Sequence, residues 1–152
     1  MHRSILPAFA AGALLSLHAP VAGQSNPFNS GAERFYKSGS AVIKVTGSFE
    51  FDQEIPITTN ASYTADDGMT WLVYGDETSG EPFVIFTYGE YGYGITVGRD
   101  NRNAVAEFDM CKGKVDVTAG TVVGEYTCPE VDSMDRDFHA LKLAITIRFT
   151  AS

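Results

Sequence analysis

Cys111-Lys112-Gly113-Lys114-Val115-Asp116-Val117-Thr118-Ala119-Gly120-Thr121-Val122-Val123-Gly124-Glu125-Tyr126-Thr127-Cys128 reads as a β-hairpin that carries a cysteine at each end. Ala119-Gly120 has the chemistry of a two-residue turn between two β-branched runs. With the turn placed there, Val117 faces Val122, Lys114 faces Glu125 and Cys111 faces Cys128, so opposite charges and both sulfurs meet across the strands. A second register, with Lys112-Gly113-Lys114 as a turn, stays open, and in it the cysteines meet only at the sheet rim. In either register two thiols in one small domain are expected to pair as a disulfide in an oxidising compartment. Closing a loop of this size adds on the order of 3 kcal/mol. The Cys-x-x-Cys spacing of a redox pair is absent.

Outward from the hairpin the same period of two recurs. Leu141, Leu143, Ile145, Ile147 and Phe149 alternate with Lys142, Ala144, Thr146, Arg148 and Thr150, which predicts a strand with one buried and one wetted face. Ala41 to Asp52 puts Ile43, Val45, Phe49 and Phe51 on one side, with Gly47 as a bend or bulge. Further strands are expected at Thr70 to Tyr74, Phe83 to Tyr91, Gly94 to Gly98, Ala104 to Lys112, Val115 to Thr118 and Thr121 to Cys128. Phe83-Val84-Ile85-Phe86 is apolar on both faces and belongs at a sheet centre. Asp66-Asp67-Gly68, Ser79-Gly80-Glu81-Pro82, Gly92 and Asp100-Asn101-Arg102-Asn103 supply turns. About eight strands with no long helix predict an all-β fold, an antiparallel β-sandwich or a small barrel.

The N-terminus has a different character. Met1-His2-Arg3-Ser4 is a short cationic start, Ile5 to Leu17 an apolar run and Ala19-Pro20-Val21-Ala22-Gly23 a small-residue exit, the pattern of a cleaved signal peptide over residues 1–23. The run is too short for a transmembrane helix. Residues 24–40 read as a polar leader with one helical turn at Glu33-Arg34-Phe35-Tyr36-Lys37, and residues 41–152 as the domain. Removing residues 1–23 leaves 129 residues, in which ten Lys and Arg stand against 19 Asp and Glu. That balance repels phosphate backbones and argues against a nucleic-acid partner. A secreted or periplasmic location follows from the leader and the cysteine pair.

Catalytic equipment is sparse. His139 is the single imidazole outside the leader, no Gly-x-Ser-x-Gly occurs, and no cofactor is expected. Glu50-Phe51-Asp52-Gln53-Glu54 would set three carboxylates at i, i+2 and i+4 on one strand face. It resembles the Glu-x-Asp-x-Glu signature of the laminarinase and lichenase family of retaining β-glucanases, which are jelly-roll sandwiches. The resemblance implies Glu50 as nucleophile, Asp52 as its electrostatic partner and Glu54 as acid/base. On a flat strand the α-carbons of Glu50 and Glu54 lie about 13 Å apart, and side-chain reach closes that to the ~5 Å of a retaining pair. The family is longer, lines its cleft with several Trp and has an apolar residue where Gln53 stands. The commoner reading of such a triplet is a solvated acidic face.

Two other groups invite a ligand. Asp132, Asp135 and Asp137 cluster before the last strand and are the one candidate for Ca²⁺, although Arg136 competes and the loop lacks the Gly and distant Glu of an EF-hand. Trp71, Tyr74, Tyr88, Tyr91 and Tyr93 lie near a Gly-rich hairpin. Trp71, Tyr88, Tyr91 and Tyr93 are the candidate binding residues, since such rings supply apolar area with a polar tip for a sugar or protein. Ordinary core packing is the alternative for each. Asn60-Ala61-Ser62 is a glycosylation sequon.

Val45-Thr46-Gly47-Ser48, the Gly-rich Ile95-Thr96-Val97-Gly98 and a long last strand after an Asp- and Met-containing loop resemble small exported bacterial sandwich proteins of the mycobacterial 19-kilodalton lipoprotein antigen type. The cysteine positions differ and the lipidated Cys is missing. That resemblance implies a non-catalytic envelope or secreted protein. The expected function is therefore a binding module for cell-envelope glycan or protein. A glycoside hydrolase on Glu50, Asp52 and Glu54 is the first alternative, and a small outer-membrane β-barrel the second.

Overall fold

Alternating residues form strands from Arg34 onward in a computed structural model, which describes residues 34–90, 92–107, 109–135 and 137–152. The leader at 1–23 lies outside the described residues, as do 24–33, Tyr91, Phe108 and Arg136. Eleven strands run in chain order: β1 (Arg34–Phe35), β2 (Ser40–Gly47), β3 (Phe51–Pro56), β4 (Tyr63–Thr64), β5 (Thr70–Tyr74), β6 (Phe83–Gly89), β7 (Gly92–Arg99), β8 (Arg102–Glu107), β9 (Lys112–Thr118), β10 (Thr121–Met134) and β11 (Ala140–Ala151). They make a six-stranded sheet, β1-β4-β5-β6-β7-β8, and a five-stranded sheet, β3-β2-β11-β10-β9. All pairings are antiparallel.

The two sheets pack as a sandwich and do not close into a barrel. An outer-membrane barrel needs every strand edge paired in a closed cylinder, so that alternative is corrected by the two open sheets and the apolar interior between them. Phe86 of the six-stranded sheet and Phe149 of the five-stranded sheet meet at 4.4 Å between ring centres. Tyr93 and Tyr126 meet likewise at 4.2 Å. β6 is internal, as the doubly apolar Phe83–Phe86 run requires, and its outer-face Phe83 is buried because its ring lies over Gly98. Gly124 has the same relation to Phe149: a Cβ there would stand 2.2 Å from the ring.

The opening hairpin folds in the expected register. Ala119 and Gly120 both have positive φ, 49° and 87°, and pairing runs from Thr118↔Thr121 to Lys112↔Thr127. Lys112–Lys114 is strand, which removes the rival turn. Lys114 and Glu125 approach to 3.8 Å, and Cys111–Cys128 is a disulfide with α-carbons 4.1 Å apart.

Three expectations are corrected. The strand Ala41 to Asp52 is two strands, β2 and β3, joined by a turn at residues 48–50. Phe49 folds back over the core end and stays 4% exposed, so the inside-outside parity runs unbroken through the turn. The leader 24–40 enters the fold at Arg34, where β1 pairs with β4 in place of a helical turn, and Tyr36 is a core residue. Finally, β10 extends through Met134, so Asp132 is on a strand and only the segment after it is loop.

Candidate functional site

Each sheet turns one face outward, and the aromatic candidates divide between inside and outside of the six-stranded one. On β5, Thr70, Leu72 and Tyr74 point into the core, which leaves Trp71 and Val73 on the outer face. Tyr74 is fully buried and gives its hydroxyl hydrogen to the Thr150 carbonyl at 3.1 Å, and burial pushes its pKa up. Tyr88 and Tyr93 pair with one another across the β6–β7 hairpin and pack against the core. The Tyr93 hydroxyl donates to the Cys111 carbonyl at 3.1 Å, and its pKa is raised by burial first and Asp109 second. Of the three expected binding residues that are described, Trp71 faces outward while Tyr88 and Tyr93 belong to the inner side; the fourth, Tyr91, lies outside the described residues.

Trp71 has companions that the sequence reading missed. The register Phe35↔Tyr63↔Trp71↔Thr87↔Gly94↔Glu107 crosses all six strands and sets three rings side by side, Phe35 tilted against Tyr63 at 6.0 Å and Tyr63 stacked on Trp71 at 5.1 Å, with the exposed Glu107 carboxylate at the far end. Phe35 is 51% exposed at the sheet edge. The next row, Val73↔Ile85↔Thr96↔Val105, is uncharged, and Val105 is an exposed valine. Beside the rings, Gly89, Gly92 and Gly94 leave a depression of about 250 Å³ bordered by Met69 and Thr87.

This face arises from an inverted pattern. Small polar residues go inside: the Tyr36 hydroxyl, Thr64 Oγ1 and Thr70 Oγ1 form a buried chain at 2.9 and 2.8 Å, and Ser62 Oγ accepts the Val73 N–H at 2.8 Å. Polar groups inside are tolerated because they are paired. Among the described residues no buried side-chain polar atom lacks a partner. The legible signal was Thr64 and Thr70, each next to an aromatic in a short strand.

The acidic triplet has a different setting. Glu50 sits in the β2–β3 turn before the strand begins, where it lines one shallow depression with Asp52 and Lys44, while Glu54 lies further along β3. Arg99 donates to the Glu50 carbonyl at 2.9 Å, and Arg102 donates to the Ser48 carbonyl at 3.1 Å while lying over the Phe49 ring. These arginines clamp the turn from the opposite sheet. Asp52 and Glu54 are exposed on the outer face of the five-stranded sheet. Asp52 lies 3.9 Å from Lys44, and Glu54 accepts the Ser40 hydroxyl at 2.6 Å.

At the calcium candidate, Asp132 accepts from Lys142 Nζ at 2.6 Å, which raises the lysine pKa. Asp135 accepts the backbone N–H groups of His139 and Asp137 at 2.8 and 2.9 Å and contacts the His139 ring at 3.1 Å. Those bonds, the His139 N–H foremost, hold its carboxyl below the usual range. Asp132 and Asp135 therefore serve different partners, on a strand and in a turn. Among the described residues no three His, Cys, Asp or Glu groups are gathered in metal-binding geometry. No helix among them is long and apolar enough to cross a membrane.

No family model, curated protein or solved structure matches the chain.

Proposed function

We propose that this chain is an exported, non-catalytic β-sandwich module that binds a glycan or protein of the cell envelope through the outer face of its six-stranded sheet. The observation that carries the reading is the packed row Phe35–Tyr63–Trp71, with solvent-facing ring area next to a glycine-floored depression. Rings already packed on one another lose little freedom on binding. The leader pattern at residues 1–23 and the disulfide support export. The sequence resemblance to the lipoprotein-antigen type points the same way. Asp52 and Glu54 engaged with Lys44 and Ser40, and the Glu50 turn clamped by arginines, support a structural role for the acidic triplet.

Trp71 is the chain's single tryptophan, so its emission reports on the site directly. Titration with envelope polysaccharide, and separately with envelope protein extract fractionated to single components, is expected to shift that emission for one class. Trp71→Phe and Phe35→Ala should weaken retention on the same material. An unmoved spectrum with unchanged retention sinks the proposal, and β-glucan hydrolysis abolished by Glu50→Gln or Glu54→Gln replaces it with the hydrolase.

A further inference from the structure

The four sheet edges are unequally protected. β8 has its Val105 N–H directed at Ser133 Oγ, 3.4 Å away, β3 carries Pro56 and runs on into a bridge between Ile57 and Tyr74, and β1 is two residues long. β9 is seven residues without proline, and among the described residues no strand pairs with its outer edge. The two-residue turn makes Thr118↔Thr121 the hydrogen-bonded closing pair, so Asp116, Lys114 and Lys112 also spend their backbone groups on β10. The N–H and C=O groups of Gly113, Val115 and Val117 then point to the open edge. The side chains of Val115 and Val117 are only half-buried, although they face the core side.

We propose that β9 pairs with β9 of a second copy of this chain, antiparallel about a two-fold axis at Val115. The register is selected by charge and by hydrogen-bond phase. With Val115 opposite Val115, both carry free backbone groups and exchange two hydrogen bonds, as an antiparallel pair requires. Lys114 then stands opposite Asp116 of the second copy, twice by symmetry, and Val117 stands opposite Gly113. Centring on Gly113 would set Lys112 against Lys114, which is repulsive. The chosen register also extends a row of alternating sign: Arg148, Glu125 and Lys114 are successive cross-strand neighbours, and Asp116 of the second copy continues it. The product is a closed two-fold pair with a continuous ten-stranded sheet, and it covers an edge that would otherwise recruit other chains.

Sedimentation of the mature chain across a concentration series tests this. A monomer–dimer equilibrium is expected. Val115→Pro removes an N–H that β10 does not use, so it should give a monomer with an unchanged circular dichroism spectrum and an intact disulfide. Should that variant not fold, charge keeps the test alive. Lys114→Glu and Asp116→Lys should each raise the dimer Kd by about tenfold or more, since each sets like charges opposite twice. Mixing those two variants should restore dimerisation, because each supplies what the other lacks. A monomer at every concentration overturns the proposal, and so does a dimer indifferent to these substitutions or a mixture that stays as weak as its parts.

Discussion

The two outer faces of the sandwich differ in almost every chemical respect. The five-stranded sheet sends Lys44, Asp52, Glu54, Lys114, Glu125, Lys142 and Arg148 to solvent, with opposite charges on neighbouring strands. The six-stranded sheet sends out Phe35, Tyr63, Trp71, Val73, Ile85 and Val105, with Glu107 as a charge on its β8 edge. Both enclose one core, so burial alone does not account for the contrast. A face that only needed to be wet would be built like the first. Both faces expose valines, Val42 and Val123 on the first and Val105 on the second, and among the described residues the outward aromatic rings belong to the second.

The largest expected effect tests whether the two sheets share their stability. Phe86→Ala and Phe149→Ala should each cost about 3–5 kcal/mol, read as a shift in denaturant midpoint, because each empties the same interior contact. Their combined cost should fall short of the sum, since the rings touch. Additivity would mean two independent layers. Next, Cys111→Ser with Cys128→Ser should cost on the order of 3 kcal/mol, confined to the β9–β10 side in hydrogen exchange.

Trp71→Ala should sharpen the contrast further: loss of its stacking on Tyr63 costs only about 0.5–1.5 kcal/mol of stability, while ligand retention should fall by a much larger factor. On the charged face, Lys44→Ala and Asp52→Ala should each change stability by less than about 1 kcal/mol, vanishing at high salt, because both side chains are more than half exposed. The smallest effect is local. Asp135 has a lowered pKa in the fold, so its clasp on His139 is fully present above the free-chain value of about 3.9 and is lost as pH falls through the lower folded value. The His139 amide shift followed by NMR should move in that acid window, and Asp135→Asn should remove the transition.

The charged face was the legible one. Where small polar and charged residues point outward and aliphatics inward, period two reports both strand and facing, and it located β9, β10 and β11 together with the disulfide and the Lys114–Glu125 pair. It failed where that rule is inverted. Ser62, Thr64 and Thr70 are inside through hydrogen bonds while Tyr63 and Trp71 are outside, so residue chemistry alone passed over Tyr63 beside Trp71 and grouped with Trp71 the inward-packed Tyr88 and Tyr93. It failed also at Ser48–Glu50, where Phe49 keeps the parity of a strand through a turn. β1 is decided by a partner thirty residues away, Thr64 opposite Arg34, which no local pattern contains.

β11 lies at the middle of the five-stranded sheet, between β2 and β10, yet it is the latest of the eleven strands to be synthesised. β4 to β8 form a meander of sequence neighbours that can pair as they emerge, whereas β2 pairs at once only with β3 and gains its second neighbour, β11, much later, the contact just past its end between Ser48 and Lys142 spanning 94 residues. Contacts of such separation are slow to form. During synthesis the β2–β3 and β9–β10 hairpins of the five-stranded sheet therefore stay apart until Ala140–Ala151 is free to lie between them and join them into one layer.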